Sequence, residues 1–258
     1  MRKKIGMTAL LVVASVTAIF LAAGQARAQE QVQFKAAHGV MVYGVYYAAQ
    51  SSSQPVILLF HQAGSNHFEY TPIAPKLVAA GFSCLAIDQR WGGEMWNQTN
   101  QTVKKLGHAE TAADKVTDLE ADLEGALVWA RTQYPHRKFI LWGSSYSASL
   151  VFVVAARHPE EVAGVLAFSP GEYFDEHPTM IEDAAMKVHV PVFITSENEP
   201  DRTEEATKIF NVVPSRDKVH YKAPFAVHGS STLRTDRNPR GAKANWAAVM
   251  KFLKPFEH

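Results

Sequence analysis

The stretch Lys138-Phe139-Ile140-Leu141-Trp142-Gly143-Ser144-Ser145-Tyr146-Ser147, followed by the apolar run Ala148 to Ala156, decides the fold of this 258-residue chain. It reads as a buried strand, a sharp turn of small residues and a buried helix. A serine at the apex of such a turn stands exposed at the end of its strand, the context of a nucleophilic hydroxyl. Ser145, two residues past Gly143, occupies the apex, and Ser144 is its neighbouring rival. Ser147 stands where glycine commonly lets the helix approach the strand. It adds only a Cβ and a hydroxyl, and reads as a tolerated variant.

Outward from this turn, strands and helices alternate. Segments 32–37 and 40–48, separated by His38-Gly39, predict an antiparallel hairpin. Val56 to Phe60 and Phe82 to Ile87 are continuous apolar runs, as expected of strands covered on both faces. A helix over Glu69 to Ala80 ends at Gly81. Arg90 to Ala113 carries little pattern and reads as a long surface excursion, with Trp91 and Trp96 as candidate liners of an acyl or leaving-group pocket. Asp114 to Tyr134 is an amphipathic helix, with Val116, Leu119, Leu123, Leu127 and Ala130 on one face, and Pro135 stops it. Strands at 163–168, 190–195 and 218–223 follow, with helices near 178–187, 203–211 and 241–253. This alternation predicts a doubly wound, mostly parallel sheet.

The first residues read as an export signal. Arg2, Lys3 and Lys4 precede the apolar stretch Ala9 to Ala23, and Ala26-Arg27-Ala28 offers a small-x-small cleavage site. Cleavage there would leave 230 residues, 29–258, with 22 basic against 25 acidic residues. The expectation is an exported bacterial protein, periplasmic or secreted, without stable membrane insertion after cleavage. A net charge near −3 gives no electrostatic case for nucleic acid or anionic membrane as partner. The 47% apolar fraction fills a sizeable core. The single cysteine, Cys84, lies in an apolar strand and reads as packing. No metal-ligand spacing and no phosphate- or dinucleotide-binding glycine loop is present, so no cofactor and no metal are expected.

Serine needs a base to take its proton and a third group to orient that base. The loops after successive strands supply candidates in order: Ser145, then the acidic cluster Glu197-Asn198-Glu199-Pro200-Asp201, then His228. In an open parallel sheet these loops share the carboxyl edge, where sites form. Glu199, four residues past its strand, is the preferred acid and Asp201 the alternative; Glu197 reads as too close to the strand end.

Nucleophile, acid, histidine is the order of α/β-hydrolases, and the chain resembles that superfamily over residues 32–256. It is nearest to dienelactone-hydrolase-like and carboxylesterase-like serine hydrolases without a large cap. Besides the serine turn and the His228 loop, Leu58 to Gly64 resembles the family's strand and oxyanion loop, and Gly81 to Gly93 its next strand and turn. Dienelactone hydrolases proper carry cysteine where Ser145 stands, and Gln62 replaces a usual glycine. The resemblance implies a single α/β-hydrolase domain with a minimal cap. It also implies acyl transfer through Ser145 with His228 as base, and an oxyanion hole from the backbone N–H groups of Tyr146 and of Ala63 or Gln62. His61 then shapes the loop. The expected substrate is a small-molecule carboxylic ester. A catalytically inactive binding or scaffolding protein on the same fold is the reading from another class.

Overall fold

Val56-Ile57-Leu58-Leu59-Phe60 shows why two helical layers form. Successive side chains of a strand point to opposite faces. Val56, Leu58 and Phe60 enter one buried cluster, Ile57 and Leu59 the other. A strand apolar on both faces is stable only between two covering layers, each buried aliphatic side chain contributing about 1.5–3 kcal/mol.

A computed structural model describes residues 29–50, 53–111 and 116–257; the expected leader, 1–28, lies outside them. The elements are β1 (Glu30–Lys35), β2 (Met41–Tyr47), β3 (Val56–Phe60), α1 (Ala74–Ala79), β4 (Cys84–Asp88), β5 (Glu94–Met95), β6 (Gln98–Thr99), α2 (Gln101–Leu106), α3 (Val116–Gln133), β7 (Phe139–Ser144), α4 (Tyr146–Arg157), β8 (Val162–Phe168), α5 (Met180–Ala185), β9 (Val192–Thr195), α6 (Pro200–Val212), β10 (Lys218–His220) and α7 (Ala242–Leu253). Short 3-10 turns cover His67–Tyr70 and Gly229–Leu233. The main sheet runs β1-β2-β4-β3-β7-β8-β9-β10. β1 pairs with β2 and β2 with β4 antiparallel, and β4, β3, β7, β8, β9 and β10 run parallel. Residues of α3, α4, α5 and α6 pack on one face, those of α1 and α7 on the other.

Two expectations need correction. The segment 69–80 is not one helix: a 3-10 turn ends at Tyr70 and α1 begins at Ala74, with Pro75 in its first turn. The excursion 90–113 is not a plain surface loop. It forms the β5–β6 hairpin and α2, and Asn100 and Thr102 are fully buried. Asn100 donates to the carbonyls of Ser65 (3.2 Å) and Gln89 (2.9 Å), stitching the segment under the loop that follows β3. Among the described residues no helix is long and apolar enough to cross a membrane.

Candidate active site

The turn between β7 and α4 is held by contact at Gly143. A Cβ there would lie 2.3 Å from the Ser147 carbonyl oxygen and 2.5 Å from the Ala148 Cα, so only glycine lets α4 cross the strand end. Ser145 then takes φ 60°, ψ −126°, a conformation that costs a non-glycine residue on the order of 1–3 kcal/mol. Its N–H donates to the Phe168 carbonyl at 2.8 Å, which fixes the strained residue in place. The side chain is nearly buried at the head of α4.

Two neighbouring loops meet this edge. His228 immediately precedes the turn Gly229–Leu233, and its Nδ1 lies 2.6 Å from Glu197 Oε1. Ser169 donates to the other oxygen, Oε2, and accepts from the Gly229 N–H at 3.0 Å. Burial would raise the Glu197 carboxyl, but hydrogen bonds from His228 and Ser169 and the charge of His228 hold it at about 2. A carboxylate thus oriented fixes a proton on Nδ1 and leaves Nε2 as the basic nitrogen. A groove of about 630 Å³ opens beside the pair, lined by Glu197, Asn198, Glu199, Arg202, Val227 and His228 among others.

The third component is the loop after β3. His61 is fully buried with both ring nitrogens engaged, Nε2 accepting from the Gln89 N–H (2.8 Å) and Nδ1 at 2.7 Å from the Gln62 carbonyl. Burial lowers it to about 4, so it stays neutral and shapes the loop. The Gln62 N–H is taken by Glu69 Oε2 at 3.0 Å. The N–H groups of Ala63 and Tyr146 have no acceptor among the described residues. Tyr146 also sits in the first turn of α4, where unpaired N–H groups and the helix dipole favour negative charge.

A family model for the alpha/beta hydrolase fold matches residues 55–191, more than half of the sequence. The chain belongs to this family. Among curated relatives, the quorum-quenching protein AidA of Acinetobacter baumannii is 26% identical over 129 residues, 49% of this chain and 38% of AidA. Epoxide hydrolase B of Mycobacterium tuberculosis is 24% identical over 131 residues, 51% of this chain and 33% of that protein. The matches thus span well under half the length of these relatives. Among solved structures, dienelactone hydrolase from Anabaena variabilis aligns at TM-score 0.69 and 18% identity, covering 89% of this chain and 98% of that one. A carboxyl esterase from Bacillus coagulans aligns at TM-score 0.69 and 12% identity, covering 90% and 99%. At these identities the structural likeness concerns the fold.

Within this alpha/beta hydrolase, Ser145, His228, Tyr146 and Ala63 fall on the edge anticipated from sequence. The acid differs. Glu199 stands at the head of α6 without a side-chain cap bond, Asp201 is exposed in that helix's first turn, and the carboxylate on His228 is Glu197. The loop turns back at once because Asn198 donates to the Ala223 carbonyl (2.7 Å) and accepts from the Ala226 N–H (2.9 Å), which aims its neighbour Glu197 at His228. Of the two N–H groups expected to face an oxyanion after His61, that of Gln62 is already engaged by Glu69. Trp91 lies against the Tyr146 ring, centroids 4.4 Å apart, and near Phe174 at 6.4 Å. Trp96 braces a loop instead: its indole N–H donates to Ser65 Oγ at 3.0 Å, and the Arg234 guanidinium covers its ring at 3.9 Å.

Three residues went unnoticed in the sequence. Ser169 links Glu197 to the histidine loop. Tyr173 donates to the Ser169 carbonyl at 2.8 Å, and burial pushes its phenol up to about 12. Glu69 is a buried acid beside the oxyanion loop. Ser169-Pro170 directly after β8 is a signal of the same strand-end kind as Ser144-Ser145; Glu69 and Tyr173 carry none. Among the described residues no group of three or more His, Cys, Asp or Glu side chains gathers as a metal site.

Proposed function

We propose that the chain is a serine hydrolase that cleaves small carboxylic esters through an acyl-enzyme on Ser145. The observation that carries this reading is the 2.6 Å Glu197–His228 pair at the sheet edge that also holds Ser145 in its strained turn. Ser145 Oγ attacks the carbonyl carbon while its proton passes to His228 Nε2. The resulting oxyanion is received by the N–H groups of Ala63 and Tyr146, each such donor worth roughly 2.7–4 kcal/mol in the transition state. Collapse breaks the ester C–O bond, and the leaving alkoxide takes the proton from His228. Water then gives a proton to His228 and attacks the acyl carbon. Collapse releases the carboxylic acid and returns the proton to Ser145. Glu197 stays ionised throughout, holding Nδ1–H and balancing the imidazolium.

Export from a bacterial cell, with cleavage after Ala28 leaving one hydrolase domain over 29–258, completes the reading. The open groove beside His228 suits short esters or the accessible end of a larger one. The test is hydrolysis of p-nitrophenyl acetate, butyrate and octanoate by residues 29–258, alongside Ser145→Ala. Turnover by the parent and background rates in the variant are expected, with fluorophosphonate labelling of the parent only. Equal rates in both, with no labelling of either, would favour the non-catalytic scaffold.

A further inference from the structure

Glu69 is a fully buried carboxylate that none of these steps uses. It lies in the turn His67–Tyr70, just beyond the oxyanion loop. Oε2 accepts the Gln62 N–H at 3.0 Å, and Oε1 accepts the Ser144 hydroxyl at 2.7 Å. Ser144 Oγ in turn accepts the Ser230 N–H at 2.8 Å. Both carboxylate oxygens are then occupied by donors and neither needs a proton, which is the pattern of the ionised form.

These three bonds join three separate loops. Gln62 precedes Ala63, Ser144 precedes Ser145, and Ser230 lies two residues past His228. The join is tight: Gly229 has φ +62°, and a Cβ on it would lie 2.3 Å from Ser144 Oγ. From outside, Arg234 donates to the carbonyls of Phe68 and Glu69, each at 3.1 Å, fixing the turn that presents the acid.

On the ester-hydrolase reading above, we propose that Glu69 is a positioning residue. By gripping Gln62 and Ser144, and through Ser144 the Ser230 loop, it keeps oxyanion donor, nucleophile and base in register. Its buried negative charge also favours the imidazolium that forms on His228. Burial raises the Glu69 carboxyl, opposed by the bonds from Ser144 and Gln62 and by the charges of Arg234 and His228. The remaining titratable groups facing this pair are the Tyr70 and Tyr146 phenols near Glu69, and Glu197, with Arg202 behind it, at His228.

The test compares residues 29–258 with Glu69→Gln, Ser144→Ala and the double variant. It follows kcat and KM for p-nitrophenyl acetate across pH, thermal unfolding, and the rate of fluorophosphonate labelling at Ser145. Glu69→Gln should lower kcat roughly 10- to 100-fold, the scale of a hydrogen bond to a charged group, with KM nearly unchanged. The acid limb of its pH–rate profile should move to lower pH, because a charge favouring the protonated base is gone. The double variant should lose little beyond the worse single variant, since both cut one chain of bonds. A purely structural acid would lower the melting temperature and leave that limb in place, and this result overturns the proposal. If Glu69→Gln does not fold, Ser144→Ala decides: a reduced kcat with an unmoved acid limb supports the role, and parental kcat refutes it. Labelled parent and Glu69→Gln with equal rates and profiles would remove the positioning role alone. An unlabelled, inactive parent removes the ester reading and this role with it.

Discussion

Replacing Glu197 by glutamine tests the acid most directly, because the change is isosteric and the structure dictates two poor outcomes. If the new amide accepts from Ser169 as Oε2 does now, its NH2 faces His228 Nδ1. The ring must then carry its proton on Nε2, where it cannot take the Ser145 proton. If the amide turns over, Nδ1–H keeps an acceptor, but the imidazolium loses its counter-charge. That charge lies 2.6 Å from Nδ1, atom to atom. With charge centres about 4 Å apart and an effective dielectric near 20, the attraction is about 4 kcal/mol, roughly 10³-fold in rate. The first outcome reaches about 10⁴-fold, the loss known for the wrong tautomer in such triads. We therefore expect kcat/KM on p-nitrophenyl acetate to fall by roughly 10³- to 10⁴-fold in Glu197→Gln, while Glu199→Gln and Asp201→Asn stay within about threefold. The linkage to stability has a definite sign. The folded carboxyl sits at about 2, below its ordinary value of 4.5, so its stabilising contribution is present above about 4.5 and lost as pH falls toward 2. Any stability gap between parent and variant should narrow over that window in urea titrations. Near-parental turnover in Glu197→Gln, or a larger loss in Glu199→Gln, would refute the assignment.

Ser169→Ala removes a donor to Glu197 and leaves the buried Gly229 N–H without its acceptor; unfolding free energy should fall by about 1–3 kcal/mol and kcat by roughly tenfold, read by denaturant titration and ester turnover. Asp122→Ala strips Arg90 of the carboxylate that accepts from its backbone N–H (2.6 Å), Nε (3.1 Å) and NH2 (2.9 Å), and this buried guanidinium should cost about 3–5 kcal/mol in urea unfolding.

The sheet was legible because its central strands are built on continuous apolar runs, unbroken in β3 and β8, and only a strand between two layers needs that. Pro75 was a legible signal against one helix over 69–80: it fits a first helical turn and breaks an interior one. The excursion after Arg90 carried its own signals too. Asn100 caps α2 by accepting from the Val103 N–H at 2.8 Å, and Gly107 closes that helix at φ 88°. What concealed the helix was its six-residue length, too short for a periodic pattern. The acid was misplaced for a different reason. Glu197 and Glu199 are two residues apart, and the choice between them rests on how Asn198 ties to Ala223 and Ala226. No local pattern reports such distant pairing.

Of the departures from the family pattern, those at Ser147 and Gln62 belong to one physical problem. Where parallel strands end, buried N–H and C=O groups run out of ladder partners and must find others. Ser147 Oγ accepts from the Ser144 N–H at 3.0 Å and lies 2.7 to 2.9 Å from the carbonyls of Phe60, His61 and Ser144, so its one proton serves the end of β3 or of β7. Glycine could not do this. Thr195 does the same for the Tyr221 carbonyl, and Ser230 accepts from the Trp142 indole. At position 62 the backbone N–H, left without a ladder partner past the end of β3, is bound by Glu69. Small hydroxyls and one buried acid therefore finish the strand ends, and the same bonds fix the loops that carry Ser145, Glu197 and His228. In a low-dielectric edge a satisfied polar network is stiff, and a half-satisfied one is costly. Loss of any single member should thus be felt first in the geometry of the site, where an error on the order of 1 Å costs about 100-fold in rate.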